Sequence, residues 1–189
     1  MINLIIVILL LFLSPDKDID EGLQNFELKS GKISYKIEGR KTGSQIILFD
    51  DFGSSYYEYN CTKILGKEKI ISIRIIVNDT LIILNPQTGF ATKSIIKNNN
   101  IKNKSILITP ELLNLMKYIK TGNEVVSGVL CEKYSSEGGE LCIWNNLILK
   151  SEVNVMNTKT KIESTELLTG ILIPKSKFKI PNNYKIINK

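Results

Sequence analysis

Hydrophobic and polar residues alternate along most of the chain after its first twenty residues. Gly, Asn and Pro interrupt this alternation about every ten residues, a pattern typical of antiparallel strands that follow one another in a meander. The alternation predicts strands at residues 32–38, 44–50, 54–63, 69–77, 80–85, 90–96, 128–134, 140–144, 148–156 and 159–168. Because sheets twist, we expect a sheet of about ten strands either to curl on itself or to split into two layers.

One stretch of the chain has helical rather than strand-like spacing. Thr109, Pro110 and Glu111 have the order of an N-cap, a proline in the first turn and an acidic first turn. The apolar residues that follow at helical spacing are Leu112, Leu113, Leu115, Met116 and Ile119. The pattern predicts one amphipathic helix of about ten residues. Because so short a helix is unstable alone in water, we expect its apolar stripe to lie on the concave or open face of the sheet.

The first twenty residues form a separate hydrophobic segment. Residues 4–13 are all apolar, and Ser14, Pro15 and an acidic stretch follow them. The run has the length of a signal-peptide core and is shorter than the about 20 residues of a spanning helix. We therefore expect a signal peptide or N-terminal hydrophobic segment over residues 1–20, and a periplasmic or otherwise exported protein. Because no basic residue precedes the run and no small-residue cleavage triplet follows it, an uncleaved membrane anchor is the alternative.

Length and composition narrow the class of protein. The chain has 189 residues, 43% of them hydrophobic, which fits one domain over residues 21–189 that can bury a core without metal or dense disulfides. It contains no histidine, so Ser-His and Cys-His catalytic pairs and histidine-ligated metals are excluded.

The 23 lysines are scattered and only two arginines accompany them. We interpret the net charge of +6 as solvated surface, with a functional basic patch as the alternative, and expect no nucleic-acid partner.

Two of the three cysteines flank a predicted hairpin. Cys131 and Cys142 lie on either side of a turn rich in Ser and Gly. If the turn is centred between residues 136 and 137, the cysteines face each other and a cross-strand disulfide is sterically feasible. If Gly138 and Gly139 form the turn, the cysteines are out of register and the disulfide cannot form. Cys61 is left over, and we interpret it as a buried thiol.

Several segments, in order along the chain, carry a family resemblance. They are GKISYKIEG at 31–39, TG at 42–43, FDDFG at 49–53, EVVSGVLC at 124–131, CIWNNLILKSE at 142–152 and IPKSKFKIPNNY at 173–184. Over about residues 26–187, the chain resembles LolA-like periplasmic proteins of unassigned role, which are relatives of the outer-membrane lipoprotein carriers.

The resemblance implies a mainly β fold with few helices. It implies a strongly curved antiparallel sheet that forms a half-open barrel, covered by a short amphipathic helix, with a hydrophobic cavity between them. We therefore expect a non-enzymatic, exported cell-envelope protein that binds or carries a hydrophobic ligand, a lipid or acyl chain, in that cavity. The expected partners are a lipid or a lipidated protein, near a membrane. The alternative is an envelope interaction or sensor module whose cavity is filled by its own side chains and holds no lipid.

The candidate cavity residues are apolar side chains of the predicted helix and the single tryptophan: Trp144, Leu112, Leu115, Met116 and Ile119. We predict no catalytic, cofactor-binding or metal-binding residues and no cofactor. Asp50 and Asp51 are adjacent, so on a strand they point to opposite faces and cannot serve one site as a paired acid and base. A Cys thiol without any imidazole base is a poor nucleophile.

Overall fold

The computed structural model describes residues 26–64, 66–67, 69–96, 106–155 and 158–188; the predicted leader at 1–20 lies outside them. The strands are β1 (Gly31–Gly39), β2 (Lys41–Asp50), β3 (Ser55–Ile64), β4 (Ile70–Val77), β5 (Thr80–Asn85), β6 (Phe90–Ile95), β7 (Ile119–Val126), β8 (Val129–Ser136), β9 (Gly139–Trp144), β10 (Leu147–Val155), β11 (Thr158–Thr169) and β12 (Lys185–Asn188). Helix α1 is Pro110–Leu115, and 3-10 turns occupy Asp51–Gly53 and Lys175–Phe178.

All twelve strands belong to one sheet, in the order β12-β6-β5-β4-β3-β2-β1-β11-β10-β9-β8-β7. Neighbouring strands are antiparallel, except that β12 runs parallel to β6. The sheet is not closed into a barrel, because β7 and β12 remain its two edges. This architecture confirms the predicted fold class, a mainly β protein with an open, curved sheet and a short helix.

Bulges and a long-range contact accompany the curvature of the sheet. An extra residue interrupts the β1–β11 register after Ser34, and another interrupts the β9–β10 register after Ile148. Such bulges bend a strand and increase its twist. The turn after β7 then reaches β11, where the Ser127 hydroxyl donates to the Ser164 carbonyl at 2.8 Å. The β7–β8 hairpin is thereby drawn back towards the middle of the sheet.

The structure corrects two predictions near the helix. Helix α1 has six residues rather than about ten, because Lys117 adopts a left-handed φ of +57° and ends it. Ile119, predicted on the helix, is instead the first residue of β7.

Strand β7 was not predicted because its side chains are almost all exposed and a bulge at residue 121 breaks its alternation. The short edge strand β12 was missed because its exposed side chains carry no alternation of buried and exposed positions.

None of the helices in the described part of the chain is long and apolar enough to span a membrane.

A central cluster of apolar side chains joins the two halves of the sheet, which are β1–β6 with β12 and β7–β11. Its most buried aromatic residues are Phe26, Phe49 and Tyr56. The rings of Phe26 and Phe49 stack with centroids 4.4 Å apart, and that of Tyr56 lies 6.2 Å from Phe26. Cys131 and Leu149 enter the same cluster from the opposite half of the sheet. Both halves therefore share one buried core.

The C-terminal segment, defined here as residues 170–188, covers a second cluster. Ile173 and Phe178 pack against Ile75, Ile82 and other side chains of β4–β6. Neighbouring positions on the same strands, such as Ile76, belong instead to the central cluster. Because successive strand residues point to opposite faces, β4 contributes buried side chains to both faces of the sheet, whereas Ile83 of β5 and Ile95 of β6 are exposed.

Candidate functional site

Helix α1 is attached to the sheet by the residues immediately before it. Leu107 forms an isolated antiparallel bridge with Leu147 at the start of β10. The Ile108 N–H donates to the Asn146 carbonyl at 3.1 Å, and the Ile148 N–H donates to the Ile106 carbonyl at 2.9 Å. This short pairing holds the helix beside the β9–β10 hairpin.

Helix α1 begins at the residues whose sequence predicts a helix start. The Thr109 side chain accepts the Leu112 N–H at 3.3 Å, and Pro110 occupies the first turn. Leu113 is the buried residue of the helix. It belongs to a third apolar cluster, formed with Ile108, Tyr118, Leu141 and Ile143.

A groove of about 430 Å³ lies between α1 and strands β8 and β9. Its apolar lining consists of Ile108, Leu113, Leu130, Ile143 and Trp144 with part of Pro110 and Tyr118. Asn145 and Asn146, both with positive φ, form the tight β9–β10 turn at one end. The volume falls within the range of about 300–1,000 Å³ typical of small-ligand sites.

The polar lining of the groove is acidic. Glu132 accepts hydrogen bonds from the Tyr134 hydroxyl at 2.7 Å and from Lys120 Nζ at 2.5 Å. The hydrogen bond from Lys120 is the main cause that lowers the pKa of Glu132, and the hydrogen bond from Tyr134 lowers it further. The Glu132 carboxylate in turn raises the pKa of Tyr134. Glu27 accepts a hydrogen bond from the Asn146 amide at 2.8 Å. The described lining contains two carboxylates and no basic side chain, but Lys120, outside the lining, forms an ion pair with Glu132 and offsets its charge.

The structure places the five candidate cavity residues differently. Trp144 lines the groove. Leu112 and Met116 are partly buried against the third cluster. Leu115 is 77% exposed and Ile119 is 68% exposed, and neither lines the groove. Sequence reasoning missed the groove residues Ile108, Leu130, Ile143, Glu27 and Glu132.

The β8–β9 hairpin has a register that matches neither predicted alternative. Lys133 lies opposite Cys142, so the turn is centred between residues 137 and 138 and Cys131 is offset by two residues. Both cysteines are buried free thiols in the structure. The Cys142 Sγ donates to Glu124 Oε2 at 3.2 Å. Cys61, expected to be buried, is a half-buried free thiol.

Burial and a neighbouring carboxylate suppress the reactivity of these thiols. Desolvation is the main cause that raises the pKa of Cys142 to about 12, and the hydrogen bond to Glu124 is the second. Desolvation also raises the pKa of Cys131. Because the thiolate is the reactive species, both side chains should alkylate slowly while the protein is folded.

We predict that mass spectrometry after alkylation without reductant will find all three thiols modified in the denatured protein. In the folded protein at pH 8, modification of Cys131 and Cys142 should be much slower than that of Cys61. A mass showing a Cys131–Cys142 disulfide in the exported protein would contradict the observed register and restore the disulfide expectation.

The described residues contain no group of three or more His, Cys, Asp or Glu side chains arranged to hold a metal ion. The absence of enzymatic activity remains a prediction. The groove offers apolar surface and hydrogen-bonding groups in comparable amounts.

Comparison with known proteins identifies a shared fold. No family model and no curated protein matches the sequence. An uncharacterized conserved protein from Thermus thermophilus aligns at TM-score 0.56 and 10% identity, covering 86% of this chain and 92% of its own. A chain of the Pseudomonas aeruginosa MucA/MucB complex aligns at TM-score 0.52 and 13% identity, covering 84% of this chain and 58% of its own. MucB by itself aligns at TM-score 0.52 and 14% identity, over 85% of this chain and 60% of MucB.

The present chain thus spans less than two thirds of the MucB length. At these identities the likeness concerns the fold and not the activity. The matches show that this chain shares its fold with these proteins; its relation to LolA-like proteins stays a prediction.

Proposed function

We propose that this chain is a non-enzymatic, exported protein of the cell envelope that binds or carries a hydrophobic ligand, a lipid or acyl chain. The ligand occupies the groove between α1 and strands β8 and β9. The observation that carries the proposal is the groove itself, about 430 Å³ in volume, which both apolar and hydrogen-bonding side chains line. The apolar run at residues 4–13 supports export.

Burial of methylene groups supplies the binding energy. Each buried CH₂ contributes about 0.8 kcal/mol, so eight to ten methylenes contribute about 6–8 kcal/mol before the cost of ordering the chain. That range corresponds at most to dissociation constants near the micromolar level. Release then needs only a modest rearrangement, and displacement of α1 from the β9–β10 hairpin would open the groove.

The acidic rim selects the head of the ligand. Glu132 and Glu27 both line the groove, and Lys120 keeps Glu132 ionised by holding its pKa low. A neutral hydroxyl or a cationic amine can donate hydrogen bonds to these oxygens, whereas a carboxylate head, like them, can only accept. A monoacylglycerol is therefore a better probe than a fatty-acid anion.

A second candidate is an envelope interaction module that holds no lipid. It is favoured by the central cluster, in which Ile33, Ile47, Leu147 and Leu149 are fully buried, so side chains occupy the space between the two halves. MucB, which shares the fold over part of its length, is found in a complex with MucA. In this case the groove and its rim would contact another protein.

Mass spectrometry distinguishes the two candidates. The protein is purified after export, washed and extracted with organic solvent, and the extract is analysed for lipids. A stoichiometric acyl lipid supports the ligand-binding function. A lipid-free protein that also fails to bind 1-monopalmitoylglycerol contradicts it and supports the interaction module.

Two leucine variants test the location of the ligand. Leu130 lines the groove and is 64% exposed, so Leu130→Lys places a charge in it without disturbing the core. We expect at least a ten-fold loss of affinity for 1-monopalmitoylglycerol, since a charged amine is costly against an acyl chain. Leu115→Lys, on the exposed side of α1, is the matched control and should leave the affinity unchanged. Equal effects of the two variants would place the ligand elsewhere.

A further inference from the structure

The charge of this protein is concentrated on one part of the molecule. Residues 69–96, which include β4–β6, and residues 167–188, which include the C-terminal segment, contain seven Lys or Arg residues and a single acidic residue, Asp79. These regions have a net charge of +6, whereas the other described residues contain 13 basic and 13 acidic side chains and have a net charge of zero. The lysines that looked scattered along the sequence are thus unevenly distributed in the fold.

The C-terminal segment separates its apolar and basic side chains. Ile173 and Phe178 point into the second cluster. Lys175, Lys177 and Lys179 are all exposed on the same segment. None of these three lysines forms an ion pair within the described residues, and neither do Lys29, Lys41 and Lys117 on other elements. What distinguishes the segment is three exposed, uncompensated lysines within five residues and no acidic residue.

Exposed apolar side chains accompany this basic row. Leu172 is 96% exposed, immediately before the lysines. At the other end of the segment, Ile186 and Ile187 on the edge strand β12 are also exposed, as is Phe90 beside them. Lysines interspersed with outward apolar side chains form the combination that attaches proteins to the surface of an anionic bilayer.

We propose that the exposed side chains of the C-terminal segment between residues 172 and 179, namely Leu172, Lys175, Lys177 and Lys179, bind the surface of an anionic phospholipid bilayer. The lysines lie at the level of the lipid phosphates, and Leu172 enters the interfacial region. Lysine suits this role because its flexible point charge needs no fixed partner geometry. The segment contains no arginine and no acidic residue, so it lacks the planar groups that give geometric selectivity for carboxylates of a protein partner.

Vesicle flotation tests this surface. The protein is mixed, at low ionic strength, with vesicles of phosphatidylcholine alone or with vesicles that also contain about 30% phosphatidylglycerol, which gives them a negative surface potential. We expect binding to the anionic vesicles only, weakened by added salt. The variant Lys175→Gln/Lys177→Gln/Lys179→Gln should lower the partition coefficient roughly 100-fold. Leu172→Ser should lower it roughly ten-fold.

A matched variant separates this surface from total charge. Lys29, Lys41 and Lys117 are exposed lysines outside the C-terminal segment, and their combined replacement by Gln removes the same net charge. Circular dichroism shows that each variant is folded. Equal loss of binding in both triple variants, or no binding to anionic vesicles, overturns the proposal. Retention on immobilised polyglutamate without vesicle binding also overturns it and indicates an acidic protein partner.

Binding of the C-terminal segment to vesicles does not require a ligand in the groove. Leu130→Lys, which blocks the groove, should leave vesicle binding unchanged. Vesicle binding that disappears in this variant but survives in the triple C-terminal variant assigns the lipid contact to the groove and rejects the C-terminal surface.

Discussion

Replacing Phe49 with alanine is expected to lower the free energy of unfolding by about 3–5 kcal/mol. Phe49 is fully buried, and its ring stacks on Phe26 with an interplanar angle of 7°. Gly31 on the neighbouring strand makes room for it, because a Cβ there would lie 2.6 Å from the Phe49 ring. Truncation would therefore remove a stacked pair and leave a cavity in the centre of the core.

Urea unfolding at 25 °C measures this loss. The matched control is Phe90→Ala, because Phe90 lies on strand β6 and is 42% exposed; its replacement should cost less than about 1 kcal/mol. Similar losses for the two variants would contradict the central position of Phe49 in the core.

Replacing Gly139 with alanine is expected to cost at least about 3 kcal/mol, because it combines backbone strain with a steric clash. Gly139 begins β9 with φ +147°, and an added Cβ would lie 1.9 Å from the Glu152 carbonyl oxygen on β10. The backbones of β9 and β10 would have to separate at the place where they pair.

Gly122 provides a control with nearly the same backbone conformation. Its φ is +155°, yet an added Cβ would have no heavy atom within 4 Å. Gly122→Ala should therefore show the cost of strain alone, about 1 kcal/mol. Thermal and urea unfolding of both variants compare the two effects. If Gly122→Ala were as destabilising as Gly139→Ala, the β9–β10 contact would not be the cause.

Strands with clear turn signals were predictable from the sequence. Strand β5 occupies residues 80–85 as predicted, because Asn78 has a left-handed φ in the turn before it. After it, Asn85 Oδ1 accepts the Gln87 and Thr88 N–H groups. These local interactions depend on neighbouring residues, which a sequence displays directly.

The end of α1 was not predictable in the same way. The helical spacing predicted about ten residues, but the helix ends at Leu115, two residues before Lys117, which adopts a positive φ although lysine has no special propensity for it. Pairing of the following residues with β8, from Ile119 opposite Ser135 onwards, competes with continued helix. Tertiary pairing therefore overrides the helical spacing of the apolar residues.

The groove depends on contacts between residues that are far apart in the sequence. Trp144 was predicted because a single tryptophan stands out in composition. Glu27 reaches the groove through its hydrogen bond with Asn146, more than a hundred residues away. Glu132 faces the groove because of the register between β8 and β9, which neither of the two predicted turns gives. A one-residue change in register changes which side chains share a face, so these contributions required the structure.

Quenching of Trp144 fluorescence by a brominated monoacylglycerol tests the central claim most directly, because Trp144 is the only tryptophan and lines the groove. Bromine quenches a fluorophore that it touches. The account predicts saturable quenching at one ligand per protein, at concentrations below the critical micelle concentration. It also predicts loss of that quenching in Leu130→Lys and its retention in Leu115→Lys. Ligand binding by equilibrium dialysis without any quenching of Trp144, or no binding at all, would contradict it.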